Sequence, residues 1–525
     1  MKTKIFTFLV CILFTAAYIY PQLKIDDKTS LNNLKSNLQF LASDELEGRE
    51  TGTRGEKLAA LFIAAEMQKY GLKPYGDNGT YFQNIKLVSG GYDLTSKIQI
   101  LSAAGSVISE LKMPDDFLSA TRQTCDPSFQ NISVPIVFAG FGITAPEFKY
   151  DDYKDIDVKG KVVLLLPDEP YSEDNAFFNG NKTTGYSNAN TKINNAMIHG
   201  ASGILFFPES WRAKFWDTFK KNATRVSFAP ERTDLRNVKN IPALILNEPA
   251  AQKLFDGEVL SYGKVSEGLS QKTDFKSFTF NKSIKFNLVD NTQTNMAMNV
   301  VGLIEGTDPK LKNEFVLLSG HFDHVGTRNG VVYNGADDDG TGTVSVLEVA
   351  RIIKENKLNK RSVIALCVTG EEKGLWGSEY ASNNSSFITN TVADINIDMT
   401  GREAPDSIHV IGSNTLSTEY YNLIKDVNNK TVKMGFNYKY DDPKDPQRFF
   451  YRSDHYNFAL KGIPIVFFFD DMRKDYHQAT DDVDKINFDK VLKVVKLSAN
   501  IALRVANLDH KILVDKKLAV QGRRD

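Results

Sequence analysis

From Asn299 onward the chain alternates between two hydrophobic rhythms. Short, continuously apolar runs at "FVLLSGH" (315–321), "SVIALCVTG" (362–370), "ADINIDM" (393–399), "SIHVIG" (407–412) and "IPIVFFF" (463–469) predict strands. Between and after them, "TGTVSVLEVARIIKEN" (341–356) and "FDKVLKVVKLSANIALRVANL" (488–508) carry apolar residues at three- and four-residue spacing and predict helices. Strands that lack polar alternation are strands covered on both sides. The pattern therefore predicts an α/β fold: a mixed, mainly parallel sheet with helices on both faces. Nearer the amino terminus a helical pattern runs from Leu31 to Pro74, where "GEKLAALFIAAEMQKYGLKP" ends on Gly71 and Pro74 as stop signals.

A second unit interrupts the first. Between about Pro135 and Phe255 the strand-like runs "VPIVFAGFGI", "GKVVLLLP", "GILFFP" and "IPALIL" flank one helix-like stretch, "TKINNAMIHGA". It carries one histidine, His199, and no cluster of ligand-type residues, so its expected role is binding or shielding. The resulting division is a leader over 1–21, an amino-terminal part of the main domain over 22–115, an inserted domain over 130–260 and a catalytic domain over 285–515. The length of 525 residues suits that count.

The leader rests on Lys2 and Lys4 ahead of the apolar run Ile5 to Tyr20, the layout of a secretory signal peptide. That run falls short of the roughly 20 apolar residues of a membrane span, so export to the periplasm or outside is expected, without stable membrane insertion once the leader is cut. A net charge of −1 argues against a nucleic-acid partner. Outside the leader only Cys125 and Cys367 remain, and Cys367 sits in a strand-like apolar run, so packed thiols are expected rather than a disulfide.

The chemistry collects at strand ends. His321 ends the first strand, Glu371 and Glu372 follow the second, Asp398 closes the third, and His477 lies in the loop after "IPIVFFFDD". In parallel sheets ligands bind beyond the carboxyl ends of strands. A lone strand-end histidine, or a run of aspartates in a turn, is ordinarily solvated surface; several at one edge of one sheet point to a metal. Zinc takes imidazole nitrogen and carboxylate oxygen. A two-zinc site needs a carboxylate that reaches both ions, which the middle of the turn Asp337–Asp338–Asp339 can supply. Asp323 is placed to orient His321 through its second ring nitrogen. In "TGEEKG" one glutamate can bind metal while its neighbour serves as general base.

The motifs "GHFDHVG", "NGADDDGTG", "GEEKGLWGS", "INIDMTGR", "YRSDH" and "YHQATDD" occur in the order and spacing of the di-zinc exopeptidases, the family of bacterial leucyl aminopeptidases and glutamate carboxypeptidase, which this chain resembles from about Asn299 to Leu508. The stretch "LASDELEGRETGTRGEKLAA" is similar to the lead-in of secreted bacterial members, and the interrupting unit resembles their protease-associated domain. The resemblance implies two zinc ions per chain, with Asp338 bridging, His321 and Asp398 completing one ion, and Glu372 and His477 the other. It implies Glu371 as general base, Asp323 as the orienting residue, and Tyr451, Arg452 and His455 as candidates to bind substrate. The implied activity is that of a secreted metallo-aminopeptidase, acting on peptide or aminoacyl substrates by attack of a zinc-bridged hydroxide on the carbonyl beside a free α-amino group. Alternatives on the same scaffold are a carboxypeptidase or dipeptidase, for which Arg402, Arg448 or Arg452 would hold the carboxylate; a one-zinc glutaminyl cyclase, against which the full ligand set speaks; and a non-catalytic binding protein, which would have lost the base or a ligand.

Overall fold

The structure is a computed structural model that describes residues 22–518, apart from 122–123, 181, 224–225, 232–239, 272–274, 403 and 443. The expected leader, 1–21, lies outside the described residues. The chain forms two compact units: one from the amino terminus to Ile85 together with Met296 onward, the other Lys86–Asn295.

In the first unit, the sheet order from Gln293–Ile304 onward is Ser362–Val368, Phe315–His321, Thr391–Ile397, Ile465–Phe469, Ser407–Ile411 and Gly435–Asn437. The four strands from Ser362–Val368 to Ile465–Phe469 run parallel, in registers such as Leu317 opposite Ile364 and Asp394 opposite Ile465. Gln293–Ile304 and Ser407–Ile411 pair antiparallel on either side of them. The sheet is thus mixed with a parallel centre, as the unalternated apolar runs require.

Burial explains that pattern residue by residue. Every residue of Phe315–His321 is buried, but the side chains part between two cores. Val316 and Leu318 pack with the helices Asp27–Leu41, Arg54–Lys69, Gly342–Asn356 and Phe488–Ala506, while Phe315 and Leu317 pack on the opposite face with Phe387, Phe458 and Ile465. Fully burying one such Leu or Phe contributes about 1.5–3 kcal/mol.

The continuous helical reading from Leu31 to Pro74 breaks into two helices, Asp27–Leu41 and Arg54–Lys69. The break, at "LEGRETG", has Glu47, Gly48 and Arg49 all at positive φ, and the reason for it lies in the site described below. Pro74 sits in a two-residue strand paired with Gly302 rather than at a helix end.

The Lys86–Asn295 unit has its own sheet, in the order Val107–Lys112, Lys97–Ser102, Phe278–Asn287, Ser133–Phe138, Val162–Leu165, Gly203–Phe206, Ala243–Leu246 and Phe117–Ser119. Its extent differs from the 130–260 expected. Lys97–Ser102 pairs with Phe278–Asn287, which also pairs with Ser133–Phe138, so one strand expected in the amino-terminal part of the main domain and another that begins in the stretch left between the expected domains complete this one. Their alternating burial marks half-covered antiparallel strands, which the search for continuous apolar runs passes over. His199 packs as an ordinary side chain, stacked on Tyr153 at 4.2 Å with Nε2 3.1 Å from Thr144 Oγ1. Cys125 and Cys367 are free and buried.

Candidate metal centre and active site

Because the central strands are parallel, their carboxyl ends deliver His321, Glu371, Glu372 and Asp398 to one edge. His477 arrives at the same place from the loop after Ile465–Phe469. The three aspartates are not equivalent. Asp339 turns back into the fold, where its carboxylate accepts the backbone N–H of His321 at 3.2 Å, Gly342 at 2.8 Å and Met399 at 3.0 Å. Asp337 accepts from Gly401 N at 2.8 Å and lies 3.2 Å from Arg402 Nε. Arg402 also binds Asp481, whose carboxylate in turn receives the backbone N–H of Asp337 at 3.0 Å and Asp338 at 3.1 Å. The outer two carboxylates therefore tie the turn to its neighbours. Only Asp338 faces the site.

Asp338 offers one oxygen to each side. Its Oδ1 lies 3.4 Å from His321 Nε2, which is also 3.6 Å from Asp398 Oδ1. Its Oδ2 lies 3.2 Å from His477 Nε2 and 3.8 Å from His324 Nδ1. Glu372 completes the second side, 2.9 Å from His477 and 2.8 Å from His324. Two groups of possible ligands result, His321–Asp338–Asp398 and His324–Asp338–Glu372–His477, sharing Asp338. Asp338 Oδ2, Glu372 Oε1, Asp398 Oδ1, His324 Nδ1 and His477 Nε2 are all buried without a hydrogen-bond partner. Buried polar atoms are rarely left so, and these sit close together but aim past one another. That donor set fits zinc.

Electrostatics follow from the crowding. Burial alone would push His477 down, but the adjacent carboxylates of Asp338 and Glu372 outweigh it and lift the imidazole to about 9. Burial also opposes ionisation of Asp338, yet His321 and His477 hold it well below the ordinary carboxylate value. Glu371 is different: burial, with Glu372, Asp454 and Asp398 adding repulsion against the pull of His321, raises it well above a normal glutamate. Its Oε2 is 3.9 Å from His321 Nε2, and its backbone N–H donates to Asp323 Oδ1 at 3.1 Å. Asp323 meets His321 chiefly through its main-chain carbonyl, 3.1 Å from Nδ1, with the carboxylate at 3.7 Å and engaged by Thr51 Oγ1 at 2.8 Å.

A small cavity of about 30 Å³ opens on the site, walled by Met399, Phe449, Phe467, Phe469 and Met472, with Arg452 and Tyr476 as its polar rim. Arg452 Nη2 is 3.3 Å from the Tyr476 hydroxyl, and Tyr476 stacks on His477 at 3.9 Å. Tyr451 and His455 are not among the residues lining this cavity. Tyr451 lies under the Arg448 guanidinium, and His455 is buried against Phe467 at 4.7 Å, where burial pushes its imidazole down to about 3. "YRSDH" contributes Ser453 instead, whose Oγ donates to Asp398 Oδ2 at 2.7 Å and accepts from Asn396 at 2.9 Å.

Sequence reasoning also missed Arg49. Fully buried, its guanidinium donates to the carbonyls of Phe322 at 2.6 Å, Asn334 at 2.5 Å and Gly335 at 2.9 Å, and to Leu41. It ties the His321 loop to the turn that carries Asp338. Gly48 permits that approach, because at φ +70° a Cβ there would lie 2.5 Å from the Tyr333 carbonyl and 2.6 Å from that of Gly326.

Residues 299–502, the part of the chain that carries both groups of possible metal ligands, match the model of peptidase family M28. That match spans 204 of the 525 residues. Aminopeptidase YwaD of Bacillus subtilis (strain 168) is similar to the chain well beyond the M28 segment, at 23% identity over 462 residues, covering 86% of this chain and 79% of that protein. A probable zinc metalloprotease of Pyrenophora teres f. teres (strain 0-1) is 32% identical over 111 residues, covering 20% of this chain and only 22% of the relative's length. The structure of an aminopeptidase from Aneurinibacillus sp. strain AM-1 aligns over 94% of this chain and 97% of its own at 18% identity, with a TM-score of 0.48.

Proposed function

We propose that the protein is an exported metallo-aminopeptidase that holds two zinc ions about Asp338. The observation that carries this reading is the pair of donor groups sharing one carboxylate, with Glu371 beside them and outside both. His321 and Asp398 would hold one ion, Glu372 and His477 the other. When bound, zinc supplies Lewis acidity and lowers the pKa of water. Glu371, with its raised proton affinity, takes the proton of the attacking water and returns it to the leaving amine. Asp323 fixes the rotamer of His321 and, through Glu371 N–H, the start of the Glu371–Glu372 loop. Arg452 and the Tyr476 hydroxyl stand at the cavity rim as donors for the substrate carbonyl. The apolar wall of Met399, Phe449, Phe467, Phe469 and Met472 favours an apolar side chain next to the cleaved bond.

The carboxypeptidase reading keeps one supporting observation. Arg402 is committed to Asp337 and Asp481, but Arg452 is exposed at the cavity and has the charge to receive a carboxylate. Export is supported by Lys2, Lys4 and the apolar run after them, and among the described residues no helix is long and apolar enough to cross a membrane. The Lys86–Asn295 unit is taken as a protease-associated-like binding domain on its sheet of parallel and antiparallel strands. The deciding experiment assays purified protein on aminoacyl, amino-blocked and dipeptide substrates, with and without zinc. Cleavage that requires the free amino group supports the aminopeptidase; cleavage of amino-blocked dipeptides alone transfers the assignment to a carboxypeptidase.

A further inference from the structure

The two donor groups are unequal, and His324 makes them so. Its ring is fully buried, and neither nitrogen has a hydrogen-bond partner. Nδ1 lies 2.8 Å from Glu372 Oε1, yet the carboxylate oxygen is off the line of the ring N–H, so the contact is no hydrogen bond. His477 Nε2 stands in the same relation to Glu372, at 2.9 Å. Two imidazoles thus approach the same carboxylate without bonding to it. Ligands about 2.0–2.2 Å from a tetrahedral zinc lie about 3.4 Å from one another. The separations of His324 Nδ1 and His477 Nε2 from the carboxylates of Glu372 and Asp338, from 2.8 to 3.8 Å, bracket that spacing. The other group has only His321, Asp338 and Asp398.

We propose that His324 is a fourth protein ligand at one of the two zinc positions, so that this position is closed and structural while the three-donor position keeps the open coordination site. The proposal rests on the two-zinc reading above. Four protein ligands are the mark of structural zinc, and three with a free position the mark of catalytic zinc. Glu371 approaches the three-donor side, 3.9 Å from His321, which places the base where the open site is. The four-donor position binds first and more tightly.

The test titrates metal-free, full-length protein with zinc against a chromophoric chelator, for wild type, His324→Gln and His324→Phe, with circular dichroism to confirm folding. Wild type should take up two ions in two distinguishable steps. Both variants should weaken the tighter step at least 100-fold and change the other less than threefold. Cobalt(II) in the first-filled position should give the strong visible absorption of a four-coordinate site in wild type and lose it in both variants. Folded variants that bind two ions with wild-type affinities would overturn the role of His324 alone. A wild-type protein that binds one ion or none would overturn the two-zinc reading and this one with it. Anomalous diffraction from zinc-soaked wild-type crystals decides the matter without a variant: His324 Nδ1 at about 2.0–2.1 Å from zinc supports the proposal, and a separation beyond 3 Å ends it.

Discussion

Replacing Arg49 tests whether the site is held by packing or by one guanidinium. Arg49→Met keeps the aliphatic stem and removes all the donors; Arg49→Lys keeps the charge but loses the planar fork. The guanidinium serves four carbonyls, those of Leu41, Phe322, Asn334 and Gly335. Hydrogen bonds from a charged group contribute about 1.5–3 kcal/mol each, and a buried acceptor left unsatisfied costs about 1–3 kcal/mol. Loss of all four should cost at least ~4 kcal/mol even after water enters to satisfy some of the carbonyls. That is a large share of the ~5–15 kcal/mol that stabilises a typical domain. Lysine, a point donor on a flexible stem, can reach about two of the carbonyls and should cost roughly half as much. The three tryptophans allow a clean assay: with Trp211 and Trp216 replaced by Phe, the fluorescence of Trp376 reports on the catalytic unit alone during urea unfolding. Arg49→Met within ~1 kcal/mol of its parent would refute the reasoning. So would equal losses for lysine and methionine, which would mean that the fork is not what joins the two loops.

Glu371→Gln should keep both metals and the fold while losing about 10²–10⁴-fold in turnover, whereas Glu372→Gln should shed zinc; zinc content and hydrolysis of an aminoacyl anilide check both, and the reverse pattern would mean that the pair is assigned backwards. Zinc uptake near pH 7 should release protons, because His477 holds its proton up to about 9 and must give it up to bind metal; calorimetry in buffers of different ionisation enthalpy measures the release, and zinc affinity should rise with pH through that range. Glu56, which accepts from Met298 N at 3.1 Å and Gly52 N at 3.3 Å, is pushed up to about 8 by burial. A raised folded pKa means the unfolded chain gives up its proton first, so wild-type stability should fall relative to Glu56→Gln as pH rises from about 4.5 to about 8, by up to ~5 kcal/mol; parallel stability curves for the two proteins would disprove the shift.

How much of this is legible in the sequence depends on how far apart the cooperating residues lie. The strands ending at His321, Val368 and Ile397 could be drawn from apolar runs alone, and parallel pairing then forces their following residues to one edge. Which of Asp337, Asp338 and Asp339 faces that edge could not be so drawn. It depends on N–H groups of Met399 and Gly401, more than sixty residues on in the case of Gly401, for which composition gives no sign. His324 stands within "GHFDHVG", but the sequence shows no reason for the ring to turn toward Glu372 rather than into the core. His455 is hidden in the other direction: its motif suggests a place beside substrate, whereas the rings of Phe450 and Phe467 pack against it. Arg49 was hidden because its partners are main-chain carbonyls, which have no sequence signature at all.

The split of the catalytic unit around Lys86–Asn295 has a temporal meaning. Arg49 and the Phe322 carbonyl are separated by 273 positions. At a synthesis rate of roughly 5–20 residues per second, Arg49 exists for about 15–55 s before its acceptor has been made. During that interval the helices Asp27–Leu41 and Arg54–Lys69 have no sheet to cover, whereas Lys86–Asn295 already owns all of its strands once Phe278–Asn287 is complete. The middle of the chain can therefore mature first, leaving the apolar faces of the two amino-terminal helices uncovered until the carboxyl-terminal half arrives. A chain released early would carry a finished accessory unit and an orphaned guanidinium, a species that quality control can distinguish from the finished enzyme by its exposed helices.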